Sequence, residues 1–169
     1  MPVTMTHAEL FERVVVYEFW MLIETRNALA TGVEDRVIRN ALIESFCVHA
    51  RGLVGFFLDR DGAKASEFTD ANYAPFKNGR IAQSLLVKIN TQIMHITFSR
   101  TTDPGKKIGL ADREELFTAV VSELSNFLRH AKPEYQALWG LTPWPNPLDA
   151  GHPPAASGAA SRAATTTST

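Results

Sequence analysis

The sequence predicts an all-α protein, a four-helix bundle with a capping C-terminal segment and a disordered tail. Three observations predict it. Four stretches repeat apolar residues at helical spacing, capping residues or Gly and Pro breakers bound them, and no stretch shows the strict alternation of a half-buried strand. With 169 residues, 45% of them apolar and 21% charged, the composition is that of one globular domain.

The first helix is predicted to start after Thr6, because Thr6 and Glu9 stand at capping-box spacing, and to run to about Ala30, where Gly32 ends it. The second is predicted from Glu34 or Asp35 to about Leu58. Ile38, Leu42, Phe46, Leu53 and Phe57 build its apolar face, and Asp61-Gly62 breaks it. A connector follows, and its Phe68, Tyr73, Pro75 and Phe76 suggest a loop packed on the body. The third helix is predicted over residues 80–100, with Ile81, Leu85, Ile89, Ile93 and Ile96 on its buried face and Asp103-Pro104-Gly105 as a stop. The fourth is predicted to begin at Asp112, with Glu115 in the capping-box position and Leu116, Val120, Leu124, Phe127 and Leu128 inward, until Pro133 closes it.

Residues 135–144 hold Trp139 and Trp144, too much apolar area to leave in water cheaply, so they are expected to cap one end of the bundle. All 16 aromatic residues lie at or before Trp144, whereas residues 151–169 hold no side chain able to anchor a core. The domain is therefore placed at 1–144 and a disordered Ala/Thr/Ser/Pro-rich tail at 145–169.

A formal net charge of −1 gives no bulk attraction to nucleic acid or anionic lipid. Cys47 is the single cysteine, so no intrachain disulfide forms, and a reducing compartment is the simplest reading. The apolar run from Val14 to Ile23 is interrupted by Glu18 and is too short to cross a bilayer, and the opening residues do not read as a signal peptide. A cytoplasmic protein with no membrane partner is expected. Rossmann and P-loop glycine fingerprints and a nucleophile elbow are absent, and no cofactor is expected.

Polar residues on apolar faces are the candidates for chemistry. Glu18 falls between Phe11, Val15, Leu22 and Leu29, where an unpaired carboxylate would be expensive. His49 falls between Leu42, Phe46, Leu53 and Phe56. A Glu18–His49 pair that fixes helix register needs no ligand; a metal site built on the two, with His95 as a third ligand, is the alternative. On the third helix Ser84, Lys88, Thr91, His95 and Ser99 form a polar strip at the core boundary, which reads as a solvated margin or as an anion-facing surface. On the second helix Ala41, Ser45, Val48 and Gly52, with Gly55 nearby, form a small-residue seam. Each interior glycine costs the helix about 1 kcal/mol, so close approach of another helix, in the bundle or from a second subunit, is expected to offset it.

The segments Asn40-Ala-Leu-Ile-Glu-Ser-Phe46, His49-Ala-Arg-Gly-Leu-Val-Gly-Phe-Phe57 and Ile89-Asn-Thr-Gln-Ile-Met-His-Ile-Thr-Phe-Ser-Arg100 resemble a group of uncharacterised bacterial helical proteins and the HEPN superfamily. The HEPN resemblance implies a helical bundle that dimerises and, in some members, cleaves RNA without metal. It implies an Arg followed four to six residues later by His, with a neighbouring polar residue. Here Lys88, Asn90 and His95 stand in that region, and lysine lacks the bidentate grip of arginine on phosphate. The bacterial group implies polar residues where Gly52 and Gly55 stand. The expectation is a non-catalytic module that binds a second copy, a protein or an RNA. A ribonuclease with His95 as acid or base, Lys88 as phosphate stabiliser and Asn90 as orienting group is the alternative.

Overall fold

A computed structural model describes residues 5–60, 62–77, 81–94, 103 and 106–141. His95, Ser99, Trp144 and the predicted tail lie outside the described residues. The chain is all-α: among the described residues the only extended pairing is an isolated bridge between Thr69 and Ala131.

Helix α1 comprises His7–Leu10, a π-helical turn at Phe11–Val15 and Val16–Ala30. Its start is the predicted capping box, with Glu9 N–H donating to Thr6 Oγ1 at 3.2 Å and Thr6 N–H to Glu9 Oε2 at 3.0 Å. Gly32 then turns the chain at φ +80°, a conformation natural only to glycine. Helix α2, Arg36–Phe57, is capped by Asp35, whose Oδ1 accepts from Val37 N–H at 2.7 Å and Ile38 N–H at 3.0 Å. Phe46, Leu53 and Phe57 are buried as predicted. Ile38, assigned to the same face, is instead exposed, because the first turn of α2 projects Val37 and Ile38 into solvent.

Helix α3 comprises Gln83–Ile89 and a second π turn, Asn90–Met94, so it starts later than the predicted residue 80. Leu85 and Ile89 are buried, Ile81 and Ile93 pack at the edge of the core, and Ile96 lies outside the described residues. Helix α4, Leu110–His130, begins two residues before the predicted Asp112. The reason is a reversed role: Asp112 Oδ2 reaches back to accept from Gly109 N–H at 2.7 Å, so Asp112 closes the first turn and Glu115 is left exposed. Pro133 does more than end α4. It opens a short helix α5, Pro133–Gly140, where its missing N–H costs nothing, and Tyr135 and Trp139 on one face of α5 are buried.

Contacts set the directions of the long helices. Arg26 of α1 forks onto Glu114 of α4, with Nη2 2.8 Å from Oε2, while Phe11 stacks on Phe127 at 6.2 Å between centroids, so α1 and α4 are antiparallel. The short turn at 31–35 makes α1 and α2 antiparallel, and α2 and α3 have the same relation: Val54 and Leu86 line one cleft, Ile43 and Ile93 another, and Arg51 bonds Asn90 between them. This order is compatible with the predicted four-helix bundle. Trp139 packs against Phe11 and Phe19 of α1, so its apolar area is covered by the body as expected. Among the described residues no helix is long and apolar enough to cross a membrane.

Candidate functional site

Glu18 and His49 meet. The 24-residue α1 and the 22-residue α2 are joined by a short reversal, so residues near the middle of each come abreast, and His49 Nδ1 donates to Glu18 Oε2 at 2.8 Å. The π turn explains why the pair sits at the margin of the core and not at its centre. An extra residue in one turn rotates everything after it, so Val16 and Phe19 take the inward positions and Glu18 is carried to the edge. The side chains are 28% and 12% exposed for Glu18 and His49 respectively.

A carboxylate acceptor fixes the imidazole proton on Nδ1, and among the described residues Nε2 has no second partner. Tyr17 meets the imidazole edge-on at 5.9 Å. Gly52 leaves room beside the carboxylate: a Cβ there would lie 3.4 Å from Glu18 Oε2, an ordinary contact. An oriented imidazole of this kind has two of the three roles of a nucleophilic constellation, but the third is missing nearby. Cys47, on the adjacent turn, is fully buried, and burial pushes its thiol up to about 12, away from the reactive thiolate.

That thiol makes a stability prediction. A group whose folded pKa is raised contributes stability that is complete below its ordinary 9.0 and is lost as pH rises toward about 12. Above pH 9.0 the unfolding free energy from denaturant titrations should fall by up to about 1.4 kcal/mol per pH unit per such group. Cys47→Ala should flatten the slope. An unchanged slope in that variant would show that the thiol stays out of the alkaline transition.

Two polar residues of α3 make interhelical bonds, and Thr91 Oγ1 donates back to Val87 O of its own helix at 2.9 Å. Lys88 Nζ donates to Asp112 Oδ2 at 2.7 Å, and Arg51 Nε donates to Asn90 Oδ1 at 2.6 Å. Burial raises the Asp112 carboxyl, but the Lys88 bond and the Gly109 amide outweigh it and hold the group below its ordinary range. His95, both the expected acid or base and the third ligand of the metal alternative, lies outside the described residues. Among the described residues no three His, Cys, Asp or Glu side chains converge as a metal site.

The small-residue seam lies on the outside of α2. Ala41, Val48 and Gly52 are exposed and Ser45 is half-buried, and a Cβ on Gly55 would meet nothing within 4 Å. Of the two seam glycines, Gly52 is approached by Glu18.

Two polar residues escape a reading of isolated polar positions. Arg51 supplies the partner of Asn90. Glu123, only 3% exposed, accepts from Tyr73 Oη at 2.7 Å, Phe76 N–H at 2.6 Å and Asn126 Nδ2 at 3.1 Å, and so ties the 68–77 connector to α4. Its signal was present: Glu123 lies three residues from Val120 and four from Phe127, on the buried stripe.

Comparison with protein-family models, curated proteins and solved structures finds no match to this chain.

Proposed function

We propose that this chain is a helical association module of HEPN-like type that acts by pairing with a second copy of itself through the outer face of α2. One observation carries the reading. Val37, Ala41, Ser45, Val48 and Gly52 follow one another at helical spacing on the side of α2 away from its buried face, with Val37 75% and Val48 44% exposed. Tyr17 of α1 and Ile38 add exposed apolar area beside them. Apolar side chains in a row along a helix favour coverage, and small ones allow two helix axes to come close. A stripe that meets its own copy across a two-fold axis is self-complementary, which is the commonest route to a dimer.

The ribonuclease alternative has less support. Lys88 shares its charge with Asp112 and Asn90 is engaged by Arg51, so a phosphate would have to compete with bonds already made.

Sedimentation and light scattering over a range of concentrations test the proposal. The wild type should populate a dimer, and Val48→Glu should weaken it at least about 100-fold, since two carboxylates would be buried in a symmetric apolar seam. Helix content should stay unchanged, because the side chain points to solvent. A wild type that remains monomeric at high concentration overturns the reading. RNA cleavage by the wild type that disappears in His95→Ala would transfer the assignment to the ribonuclease.

A further inference from the structure

A second feature of the molecule uses none of the residues of the α2 stripe. The C-terminal end of α2, the connector and the first turns of α3 enclose an open cleft of about 270 Å³. Val54, Leu58, Phe76, Ile81 and Leu86 make apolar walls, and the exposed side chains of Arg60 and Gln83 stand on its lining. Neither the Arg60 guanidinium nor the Gln83 carboxamide makes a hydrogen bond or ion pair with another side chain among the described residues. A guanidinium with no direct ion pair among the described residues and an amide donor, both beside apolar walls, are the pattern of a small-molecule site.

The wall is held open from behind. Phe76 sits at φ +53°, a left-handed conformation that costs a bulky residue about 1–2 kcal/mol. Its N–H is fixed by the buried Glu123 and its ring meets Phe57 edge-on at 6.2 Å, so the strain is sustained by residues that do not line the cleft. Strained residues that the surroundings over-determine concentrate at ligand clamps.

We propose that this cleft binds a small amphipathic carboxylate, an apolar chain or ring that lies along Val54, Leu58 and Leu86 with its carboxylate on Arg60 and Gln83. The positive charge selects an anion, and the apolar walls select a ligand that must be more than an anion. A planar guanidinium favours the two oxygens of a carboxylate over a single hydroxyl.

Octanoate is the probe, titrated into the full chain carrying labelled Ile, Leu and Val methyl groups and followed by NMR. Saturable shifts are expected for the methyls of Val54, Leu58, Ile81 and Leu86, while those of the fully buried Leu124 stay in place. Octanol should bind at least about tenfold more weakly. Arg60→Gln should lose about tenfold in octanoate affinity and leave octanol unchanged, as expected for removal of one charge-assisted contact. Arg60 is exposed, so the variant keeps its fold, and unchanged helix content confirms it. Equal affinities for octanoate and octanol, an Arg60→Gln affinity equal to wild type, or an absence of methyl shifts in the cleft would each overturn the proposal. None of these outcomes bears on whether the chain dimerises.

Discussion

Phe127→Ala is expected to lower the stability of the chain by about 3–5 kcal/mol, a large part of the 5–15 kcal/mol available to a domain. Phe127 is fully buried and lies where three parts of the chain meet. Its ring is 6.2 Å from Phe11 of α1, 5.5 Å from Phe56 and 5.8 Å from Phe57 of α2, and 5.9 Å from Tyr73 of the connector. Such neighbours cannot fill the hole. Phe11 is packed on Phe68 and Tyr135 as well, and Tyr73 is tied to Glu123, so inward relaxation of either would break contacts elsewhere. Urea denaturation should show a lower midpoint with the same slope, and Phe127→Leu should recover more than half of the loss. A cost below about 1 kcal/mol would mean that the cluster collapses freely and that Phe127 is not its centre.

Much of this architecture was legible because it is local. The Thr6 and Glu9 cap and the Gly32 stop are each written within a few residues and are found where the spacing places them, and α2 starts at Arg36, one residue past the expected Glu34 or Asp35, with Asp35 as its cap. The Glu18–His49 contact was legible for a different reason: two ionisable groups on apolar faces of neighbouring helices lower each other's cost of burial. What periodicity missed came from breaks in the period. A uniform 100° rotation carries Glu18 to the middle of the stripe, but the π turn at Phe11–Val15 shifts the phase and leaves it at the margin. The start of α4 moved for a related reason, since Asp112 serves both Gly109 and Lys88, and the second partner is remote in sequence. Glu123 stands on the buried stripe of α4, but the partners that satisfy it there are remote. Tyr73 and Phe76, which justify its burial, stand 50 and 47 residues away in a loop with no period to read.

Glu123→Ala is the second substitution with a large expected effect, a loss of about 3 kcal/mol or more. Removing the carboxylate leaves the Tyr73 hydroxyl and the Phe76 amide as donors without an acceptor in a buried place, at about 1–3 kcal/mol each, and takes one of the two partners of the Asn126 carboxamide. Glu123→Gln should cost less, because it keeps one acceptor oxygen and the side-chain volume, although its amide then faces a donor. The damage should be local before it is global. With its amide unpinned, Phe76 has no reason to remain left-handed, so hydrogen exchange at Phe76 should accelerate well beyond that at Leu124. Tyr73 offers an independent readout: burial first, then the bond to Glu123, raise its hydroxyl well above the ordinary 10.0, so its contribution to stability is complete below that pH and is lost above it. In Glu123→Ala the tyrosinate absorbance should therefore appear at lower pH than in the wild type. The double variant Glu123→Ala, Tyr73→Phe should cost at least about 1 kcal/mol less than the two singles added together, since the hydroxyl it deletes is the one left unsatisfied. Strict additivity would show that the two groups are not coupled. Because the same carboxylate fixes the Phe76 wall, Glu123→Ala should also abolish the octanoate response at Leu58 and Leu86 while the helices still give a cooperative transition.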